Sequence, residues 1–273
     1  MTLEVQICTY GLDGLQRAAQ MTLPAVDGVR YRICMQNPDG LAVELPEALR
    51  RPDVDFFQHA TRGLSLNRNA ALDRAEADII LIADDDLHYT ADGLRAIIDT
   101  FAADPSLDFA TFKYSGPDAK VYPAAACDLC DPLPRGYYLT SFELAIRRRS
   151  LPAAIRFSPQ MGIGASFYGA GEEDLFLYHL IRSSLRGRFI PVEICRHPDL
   201  TTGSRRPTAA TLRAVGACIW VEHANRNALQ RYLLGPLRLL RRSVRPNVSY
   251  LTALRHLLHG YLAAPRLLKR GKG

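Results

Sequence analysis

Three consecutive aspartates, Asp84, Asp85 and Asp86, follow directly on an apolar run of the sequence. In an extended segment, side chains two positions apart point the same way, so Asp84 and Asp86 are expected on one side and Asp85 on the other. Mg²⁺ and Mn²⁺ take oxygen ligands, and Mg²⁺ is commonly held by one or two carboxylates together with phosphate oxygens and water. The triplet predicts either such a cation site, completed by a diphosphate, or an ordinary solvated turn.

Two basic side chains elsewhere in the chain suit the same chemistry. Arg68 lies in a loop that enters a helix at Arg62–Leu72, where its guanidinium could grip a phosphate or the acidic turn. His197 follows a later apolar segment and suits a nitrogen ligand for the cation or a hydrogen-bonding partner of the diphosphate. Each residue also has a purely structural alternative. Arg68 could lie in an ordinary connection to a helix, and His197 could be a packed side chain that binds no ligand. The P-loop pattern GxxxxGK[ST] is absent, which excludes that mode of phosphate binding.

A second acidic group follows a glycine-rich approach at residues 162–171. Glu172, Glu173 and Asp174 open a helical pattern, and the helix dipole favours acids at that end. Acids at helix starts are common for this reason alone. A carboxylate held on a rigid helix end beside a glycine-rich loop also suits a general base, so both interpretations stay open.

The elements that must position these groups alternate between strands and helices. Apolar and β-branched runs predict strands at residues 4–9, 31–36, 54–57, 78–83, 109–114 and 188–195. Helical spacing places Leu12, Leu15 and Ala19 on one face of a first helix. It also predicts a second helix around Leu94, with Thr90 as its N-cap, and a third that Gly187 closes. This order predicts an α/β fold with a mostly parallel central sheet, whose ligands gather at the carboxyl ends of the strands.

Composition supports a packed globular protein. The 273 residues are 48% apolar and 23% charged, which excludes a disordered, collagen-like or disulfide-stapled chain. Six cysteines behind an N-terminus without an apolar signal region predict reduced thiols in a cytosolic protein. Cys127 and Cys130 form the one CxxC pair. Because no second pair of ligands is near in the sequence, they are expected to be ordinary loop cysteines and not a zinc site. No run approaches the ~18 uncharged residues of a membrane span.

The positive charge is concentrated in the last part of the chain. Residues 205–273 carry 14 Lys and Arg against one acid, Glu222, and are predicted to form a basic α-helical extension. Two amphipathic stretches occur there, with leucines and arginines at helical spacing: Leu233, Leu234, Leu237 and Leu240 opposite Arg238, Arg241, Arg242 and Arg245, then Leu251, Leu254, Leu258, Tyr261 and Leu262. Such helices could rest on an anionic membrane, or their leucines could pack on the rest of the protein. Nucleic-acid binding is not expected, because aromatics are few and no recognition motif is present.

Five of these segments, in this order, resemble the family 2 glycosyltransferases of the GT-A fold. They are the strand end Cys8–Gly11, the loop Gly63–Asn69, the DXD-like Ile82–Leu87, the Gly171–Asp174 acids and His197. The resemblance implies a Rossmann-type sandwich at residues 1–204, with a nucleotide-sugar-binding half at 1–100 and an acceptor-binding half at 101–204. It also implies a nucleotide-sugar donor, Mn²⁺ or Mg²⁺, and inversion at the sugar carbon.

The resemblance also implies roles for individual residues. Metal contacts fall on Asp84, Asp86 and His197, and donor contacts fall on Thr9, Tyr10, Arg68, Asp84, Asp85 and Arg205. The family often holds the nucleobase with an aspartate after the second strand, where this chain offers Gln36, Asn37 or Asp39. Alignment on Gly171 makes Glu173 the base, alignment on Leu175 favours Asp174, and Glu172 completes the acidic group. Acceptor contacts fall on Tyr137, Tyr138 and Glu143.

The expected reaction moves a sugar from a UDP-, GDP- or dTDP-sugar to a hydroxyl of a glycan or lipid-linked acceptor. The protein is expected in the cytoplasm, where it could also bind peripherally to the inner face of the cytoplasmic membrane. A sugar-phosphate nucleotidyltransferase would use similar carboxylates but needs a lysine- and glycine-rich phosphate loop, and residues 9–14 contain no lysine. A non-catalytic membrane-associated scaffold is the other alternative.

Overall fold

The computed structural model describes residues 1–117, 119–198, 207–224, 233–244 and 248–269. They pack as two compact units. The first consists of Met1–Arg62, Leu66–Pro152 and Leu180–Thr201, and the second of Gly63–Ser65, Ala153–His179 and the described residues after Thr202. The predicted boundary after residue 204 therefore divides the chain differently, because residues 153–179 pack with the C-terminal helices.

The first unit contains a mixed sheet. Its nine strands are β1 (Leu3–Tyr10), β2 (Val29–Gln36), β3 (Val54–His59), β4 (Ile79–Ala83), β5 (His88–Tyr89), β6 (Phe109–Ser115), β7 (Cys127–Leu129), β8 (Leu144–Arg147) and β9 (Gly187–Arg196). Their order across the sheet is β3-β2-β1-β4-β8-β6-β9-β5, with β7 paired to β9. All six predicted strands are present.

The half of the sheet formed by β3, β2, β1 and β4 is entirely parallel. β8 runs antiparallel to both β4 and β6, and β9 returns to a parallel pairing with β6. Every residue of β4 is buried, as a strand covered on both faces requires. The predicted α/β class is confirmed, and the acidic turn lies at the carboxyl end of this buried strand.

Helices α1 (Gly11–Gln20), α2 (Leu64–Leu72) and α3 (Ala91–Ala103) follow the first strands. Leu15 of α1 and Leu94, Ile97 and Phe101 of α3 pack into the core with the apolar side chains of the sheet. The Thr90 hydroxyl accepts a hydrogen bond from the Gly93 amide, which confirms the predicted N-cap of α3.

The predicted closure of the next helix by Gly187 is wrong. α4 (Glu172–Arg182) ends earlier, and Ser184 is the residue that takes the left-handed backbone, at φ 60°. Gly187 is instead the first residue of β9, where the ring of Phe109 occupies the space of a side chain. A Cβ at Gly187 would lie 1.9 Å from that ring.

The second unit is built around α5 (Ala209–His223), α6 (Gly235–Arg242), α7 (Tyr250–Ala263) and α8 (Pro265–Lys269). Leu212, Ile219, Leu239, Leu257 and Tyr261 form a core among these helices. None of the described helices has the length and apolar character that crossing a membrane requires. All six cysteines are unpaired thiols.

Helices α5 and α7 touch through two glycines. A Cβ at Gly216 of α5 would lie 2.0 Å from the carbonyl oxygen of Leu257, and a Cβ at Gly260 of α7 would lie 1.9 Å from that of Arg213. Neither contact leaves room for a side chain, so the close approach of the two helices depends on both glycines.

We therefore expect Gly216→Val to lower the free energy of unfolding by about 2 kcal/mol or more, because the helices must separate to admit the side chain. Urea unfolding followed by circular dichroism measures this loss. Ala209→Val, at an exposed position of the same helix, is the control and should cost much less. Equal losses in both variants would contradict the proposed close contact.

The C-terminal helices are fastened to the glycine-rich loop that precedes α4. The Arg213 guanidinium donates from Nε to the carbonyl oxygen of Phe167 at 2.8 Å and lies over the Phe167 ring. The Gly169 amide donates to the carbonyl oxygen of Ala210 at 3.2 Å. These contacts join residues 153–179 to the C-terminal helices.

Candidate active site

The acidic turn divides its side chains between two sides, as the alternation of an extended segment predicts. Asp85 contacts Thr9 and Arg17, whereas Asp84 contacts Arg68 and Asp86 faces His197. The two groups of contacts have different characters. The Asp85 contacts tie α1 to the sheet, and the Asp84 and Asp86 contacts surround a region rich in ionisable groups.

Asp85 and Thr9 were both predicted to contact the donor, but their polar groups bind each other. The Thr9 hydroxyl donates to Asp85 Oδ2 at 2.5 Å, and Arg17 Nη2 donates to the same oxygen at 2.8 Å. The hydrogen bond to Asp85 raises the pKa of Arg17 above its ordinary value. Gly14 allows this approach, since a Cβ there would lie 2.1 Å from the Thr9 hydroxyl oxygen. The three side chains fasten α1 to the carboxyl edge of the sheet.

Asp84 is oriented by Arg68. The buried guanidinium donates from Nη2 to Asp84 Oδ1 at 2.9 Å and to the Ser141 hydroxyl at 2.7 Å. Desolvation raises the pKa of the Asp84 carboxyl, and the charge of Arg68 opposes that rise. Arg68 thus contacts the acidic turn, which is one of the two partners considered for it.

Asp86 lies beside His197, with 3.5 Å between Oδ2 and the imidazole Nε2. The imidazole stacks on Phe142 at 5.5 Å between ring centroids, and the backbone amide of His197 donates to the carbonyl oxygen of Ser115 at 2.8 Å. The other carboxylate oxygen of Asp86, Oδ1, is buried and has no hydrogen-bond partner in the described part of the chain. A buried carboxylate oxygen without a partner is costly unless a donor or a cation satisfies it.

The donor set around Asp86 fits a divalent cation that takes most of its ligands from elsewhere. Among the described residues, no group of three or more His, Cys, Asp and Glu side chains is arranged to hold a metal ion. A closed protein site is therefore not present there. Mg²⁺ commonly keeps several waters and binds through one or two carboxylates plus substrate phosphates, which is compatible with Asp86 and its neighbours.

An exposed trio stands at the carboxyl ends of the first three strands. Arg62 donates from Nη1 to the Tyr10 hydroxyl and from Nη2 to Asp39 Oδ1, at 2.5 and 2.6 Å. Tyr10 is 46% exposed, and the Asp39 and Arg62 side chains are 60% and 58% exposed. The trio offers an aromatic face, a carboxylate and a guanidinium to solvent. The sequence leaves the choice among Gln36, Asn37 and Asp39 open, and its only signal for Arg62 is the position of this residue at the head of the Gly63 loop.

Gln36 and Asn37 are buried. Gln36 Nε2 donates to the Thr61 hydroxyl at 3.0 Å, and Asn37 Nδ2 donates to Gln58 Oε1 at 2.7 Å. The carboxamide oxygen of Asn37 also accepts from the Leu41 amide at 3.0 Å, which closes the turn after β2. Of the three residues considered for the nucleobase, Asp39 is the one whose polar group reaches solvent.

The acids at the start of α4 have different surroundings. Glu172 is buried with its carboxylate against Gly162, where a Cβ would lie 3.0 Å from Glu172 Cδ, whereas Glu173 and Asp174 are half-buried. The thiol of Cys218, from α5, donates to the carbonyl oxygen of Gly171 at 3.9 Å. Burial, followed by the nearby charges of Asp174 and Glu173, raises the pKa of Cys218 well above its ordinary value. The C-terminal helices thus contact the acidic helix start directly.

The three predicted acceptor residues differ in accessibility. Glu143 is fully buried and pairs with Lys120 at 2.5 Å, while it also accepts from Tyr122 and from the Thr140 amide. Burial raises the pKa of Glu143 and the charge of Lys120 lowers it. Tyr137 is half-buried with its hydroxyl bonded to Thr111, so Tyr138 is the exposed member. Glu143 positions this loop and has no surface to offer a sugar.

Two further predictions concern residues away from these groups. Arg205, with its neighbour Arg206, lies outside the described residues. Cys127 is half-buried on β7 and Cys130 is exposed, and neither takes part in a metal-binding group in the described part of the chain.

The sequence of residues 37–157 matches the family model described as glycosyl transferase family 2. This stretch contains Arg68 and the acidic turn. The match confirms the predicted enzyme class. No curated protein matches the chain in sequence.

Solved structures of S. aureus TarS share this fold. TarS 1–349 in complex with UDP-GlcNAc has a TM-score of 0.62 and 15% identity, covering 97% of this chain and 81% of that one. TarS 1–349 has a TM-score of 0.59 and 15% identity, covering 100% and 92%. The complex of TarS 1–349 with UDP has a TM-score of 0.55 and 14% identity, covering 100% and 92%. At these identities the likeness concerns the fold, and it confirms the GT-A type of sandwich.

Proposed function

We propose that this chain transfers a sugar from a nucleoside diphosphate to an acceptor hydroxyl with inversion at the sugar carbon. The observation that carries the proposal is the buried Oδ1 of Asp86, beside His197 at the carboxyl end of the buried strand β4. This oxygen has no hydrogen-bond partner among the described residues. Tyr10, Asp39 and Arg62 stand at the carboxyl ends of strands in the same half of the sheet. Ligands of open α/β sheets bind at such edges.

The exposed trio is the proposed nucleoside site. The Tyr10 ring offers a face for stacking, and the Asp39 carboxylate can accept a hydrogen bond from an imide N–H of uracil, thymine or guanine. Arg62 holds both side chains and keeps this face in place. The TarS complexes contain UDP-GlcNAc and UDP, so UDP-sugars are the first donors to test, before GDP- and dTDP-sugars.

Asp39→Asn is expected to raise the KM for the donor about tenfold and to leave kcat nearly unchanged, because it removes one charged hydrogen bond to the nucleobase. Steady-state kinetics with a varied donor concentration measures this change. Asp27→Asn, at an exposed position before β2 and thus near the amino end of that strand, is the matched control. An equal KM in both variants would remove Asp39 from the nucleoside site.

Asp86 and His197 are the proposed protein ligands of Mn²⁺ or Mg²⁺. Asp84, from the same turn, is held by its hydrogen bond to Arg68. The cation would neutralise the negative charge that grows on the departing diphosphate. Arg68 holds Asp84 in one orientation, and Phe142 holds the imidazole of His197 by stacking. These residues are thus prepared before the donor arrives.

Glu173 is the proposed general base, with Asp174 as the alternative. Its carboxylate takes the proton of the acceptor hydroxyl as that oxygen attacks the sugar carbon from the side opposite the diphosphate. The bond from the sugar carbon to the diphosphate breaks in the same step, so the configuration inverts. A positioned base of this kind contributes about 10²–10⁴-fold to the rate.

The acceptor is proposed to be a hydroxyl of a glycan or a lipid-linked glycan, with Tyr138 as the remaining exposed aromatic candidate for contact. The predicted peripheral position at the inner face of the cytoplasmic membrane stays a prediction.

A panel of UDP-, GDP- and dTDP-sugars with Mn²⁺ tests the function. Release of nucleoside diphosphate supports transfer. Formation of a nucleotide-sugar from a sugar phosphate would indicate a nucleotidyltransferase, and inactivity with every donor would indicate a scaffold.

A further inference from the structure

Helix α6 turns an apolar face towards solvent. Leu239 is its buried leucine and Gly235 is buried beside Tyr261, whereas the apolar side chains on the opposite side are 43–74% exposed. We call this surface the α6 face. It consists of Leu237 and Leu240 of the helix and of Leu233, Leu234 and Val244, which flank the helix. None of the leucines predicted for this side is buried.

The core of the second unit does not use the α6 face. Leu239 supplies the contribution of α6 to that core, where it packs with residues of α5 and α7 such as Leu257 and Tyr261. Among the described residues, the leucines predicted for this side of the helix do not belong to that core. The described residues leave this apolar surface exposed.

Positive charge borders the α6 face. Arg241 and Arg242 are exposed on the same helix, and Arg238 forms an ion pair with Glu222. Glu222 is the one acid among the residues from 205 to 273, against 14 Lys and Arg. A helix with an apolar face, a basic border and low overall hydrophobicity is the type that lies in the plane of a membrane interface.

Charge and composition distinguish the occupants that could cover this face. A symmetric contact between two copies would bring the arginines of both helices together, and Glu222 is already paired. A nucleic acid would bind the arginines, but it would not account for the five apolar side chains of the α6 face. An anionic bilayer uses both groups, with the leucines among the acyl chains and the guanidinium groups at the phosphates.

We propose that the α6 face docks on the surface of an anionic lipid bilayer. This contact goes beyond the proposed sugar transfer and does not depend on it. If the acceptor is lipid-linked, docking places the enzyme where that acceptor is concentrated.

The test is flotation of the full-length protein with vesicles of phosphatidylcholine alone and of phosphatidylcholine with phosphatidylglycerol. We expect binding to the anionic vesicles that weakens at high salt. Leu237→Ser with Leu240→Ser is expected to reduce the bound fraction at least about tenfold, because two leucines lose their burial in lipid. Arg241→Gln with Arg242→Gln is expected to reduce binding by about 25-fold, since each arginine near the surface is worth roughly fivefold in affinity.

Two control variants are matched to these changes. Leu258→Ser with Leu262→Ser alters exposed leucines of α7, which carries one arginine, and should retain binding. Arg50→Gln with Arg95→Gln removes two exposed charges from the first unit and should also retain binding. Donor hydrolysis in solution, measured in parallel, should be unchanged in all four variants. A wild-type protein without hydrolysis but with vesicle binding would refute only the proposed enzymatic function.

Several results would overturn the docking proposal. The first is a lack of vesicle binding by the unaltered protein. The second is a larger loss from the α7 variant than from the α6 variant, because the contact would then belong to α7. The third is a dimer in light scattering that the Leu237 and Leu240 changes convert to a monomer, which would assign the face to a second copy. The fourth is binding to DNA that the arginine changes weaken and the leucine changes leave intact.

Discussion

Asp86→Asn is expected to lower metal-dependent sugar transfer by about a thousandfold while the protein stays folded. The loss follows from the stabilisation by several kcal/mol that a cation supplies to charge on a leaving group. Folding should survive because Asp86 Oδ1 has no hydrogen-bond partner in the described residues and its Oδ2 faces only His197, at 3.5 Å. Initial rates at increasing Mn²⁺ concentration measure the effect, and the variant should show little response to the metal.

Asp85→Asn provides the matched control within the same triplet. Asp85 bonds to Thr9 and Arg17, so its replacement should lower the free energy of unfolding by about 2 kcal/mol and preserve the dependence of the remaining activity on Mn²⁺. Wild-type turnover and a wild-type Mn²⁺ response in Asp86→Asn would sink the cation assignment. The same result would leave the nucleoside site at Tyr10 and Asp39 untouched.

Glu173→Gln is expected to slow transfer by about 10²–10⁴-fold and to change donor affinity little, because a general base acts only when the acceptor hydroxyl loses its proton. Single-turnover rates with saturating donor measure the chemical step, and equilibrium binding of UDP measures affinity separately. The amide keeps the shape of the side chain at the start of α4, so the comparison isolates the carboxylate.

Asp174→Asn is the paired variant, one position along the same helix. Asp174 interacts with the thiol of Cys218, so its change is expected to affect the packing of α5 more than the chemical step. If Asp174→Asn slows the single-turnover rate and Glu173→Gln does not, the base is Asp174 and the alignment on Leu175 is the right one. If neither does so, the base lies elsewhere in the protein.

The strands and the two sides of the acidic turn were predictable because both depend on short-range geometry. β4 is a continuous apolar run, which is the pattern of a strand buried on both faces, and its carboxyl end follows from chain direction alone. The alternation of Asp84 and Asp86 with Asp85 follows from the two-residue period of extended backbone. These features require no knowledge of what packs nearby.

The partners of those side chains were not predictable, because they come from distant parts of the chain. Thr9 bonds to Asp85 across 76 positions, and nothing in either local sequence indicates that contact. The sequence around Glu143 is compatible with an accessible acid, but in the fold Glu143 is buried against Lys120. The direction of the leucines on α6 had the same ambiguity, since an amphipathic pattern does not say which partner covers the apolar side.

The contacts of α5 with the glycine-rich loop restrict how this protein could be recombined with its relatives. A Cβ at Gly171 would lie 2.6 Å from the Cys218 sulfur, and one at Gly169 would lie 3.0 Å from the Ala210 side chain, so loop and helix are fitted to each other with little tolerance. A chimera that exchanges the C-terminal helices alone would inherit a mismatched loop beneath its acidic residues. A chimera should therefore exchange residues 153–179 together with the C-terminal helices, although these two segments are separated in the chain.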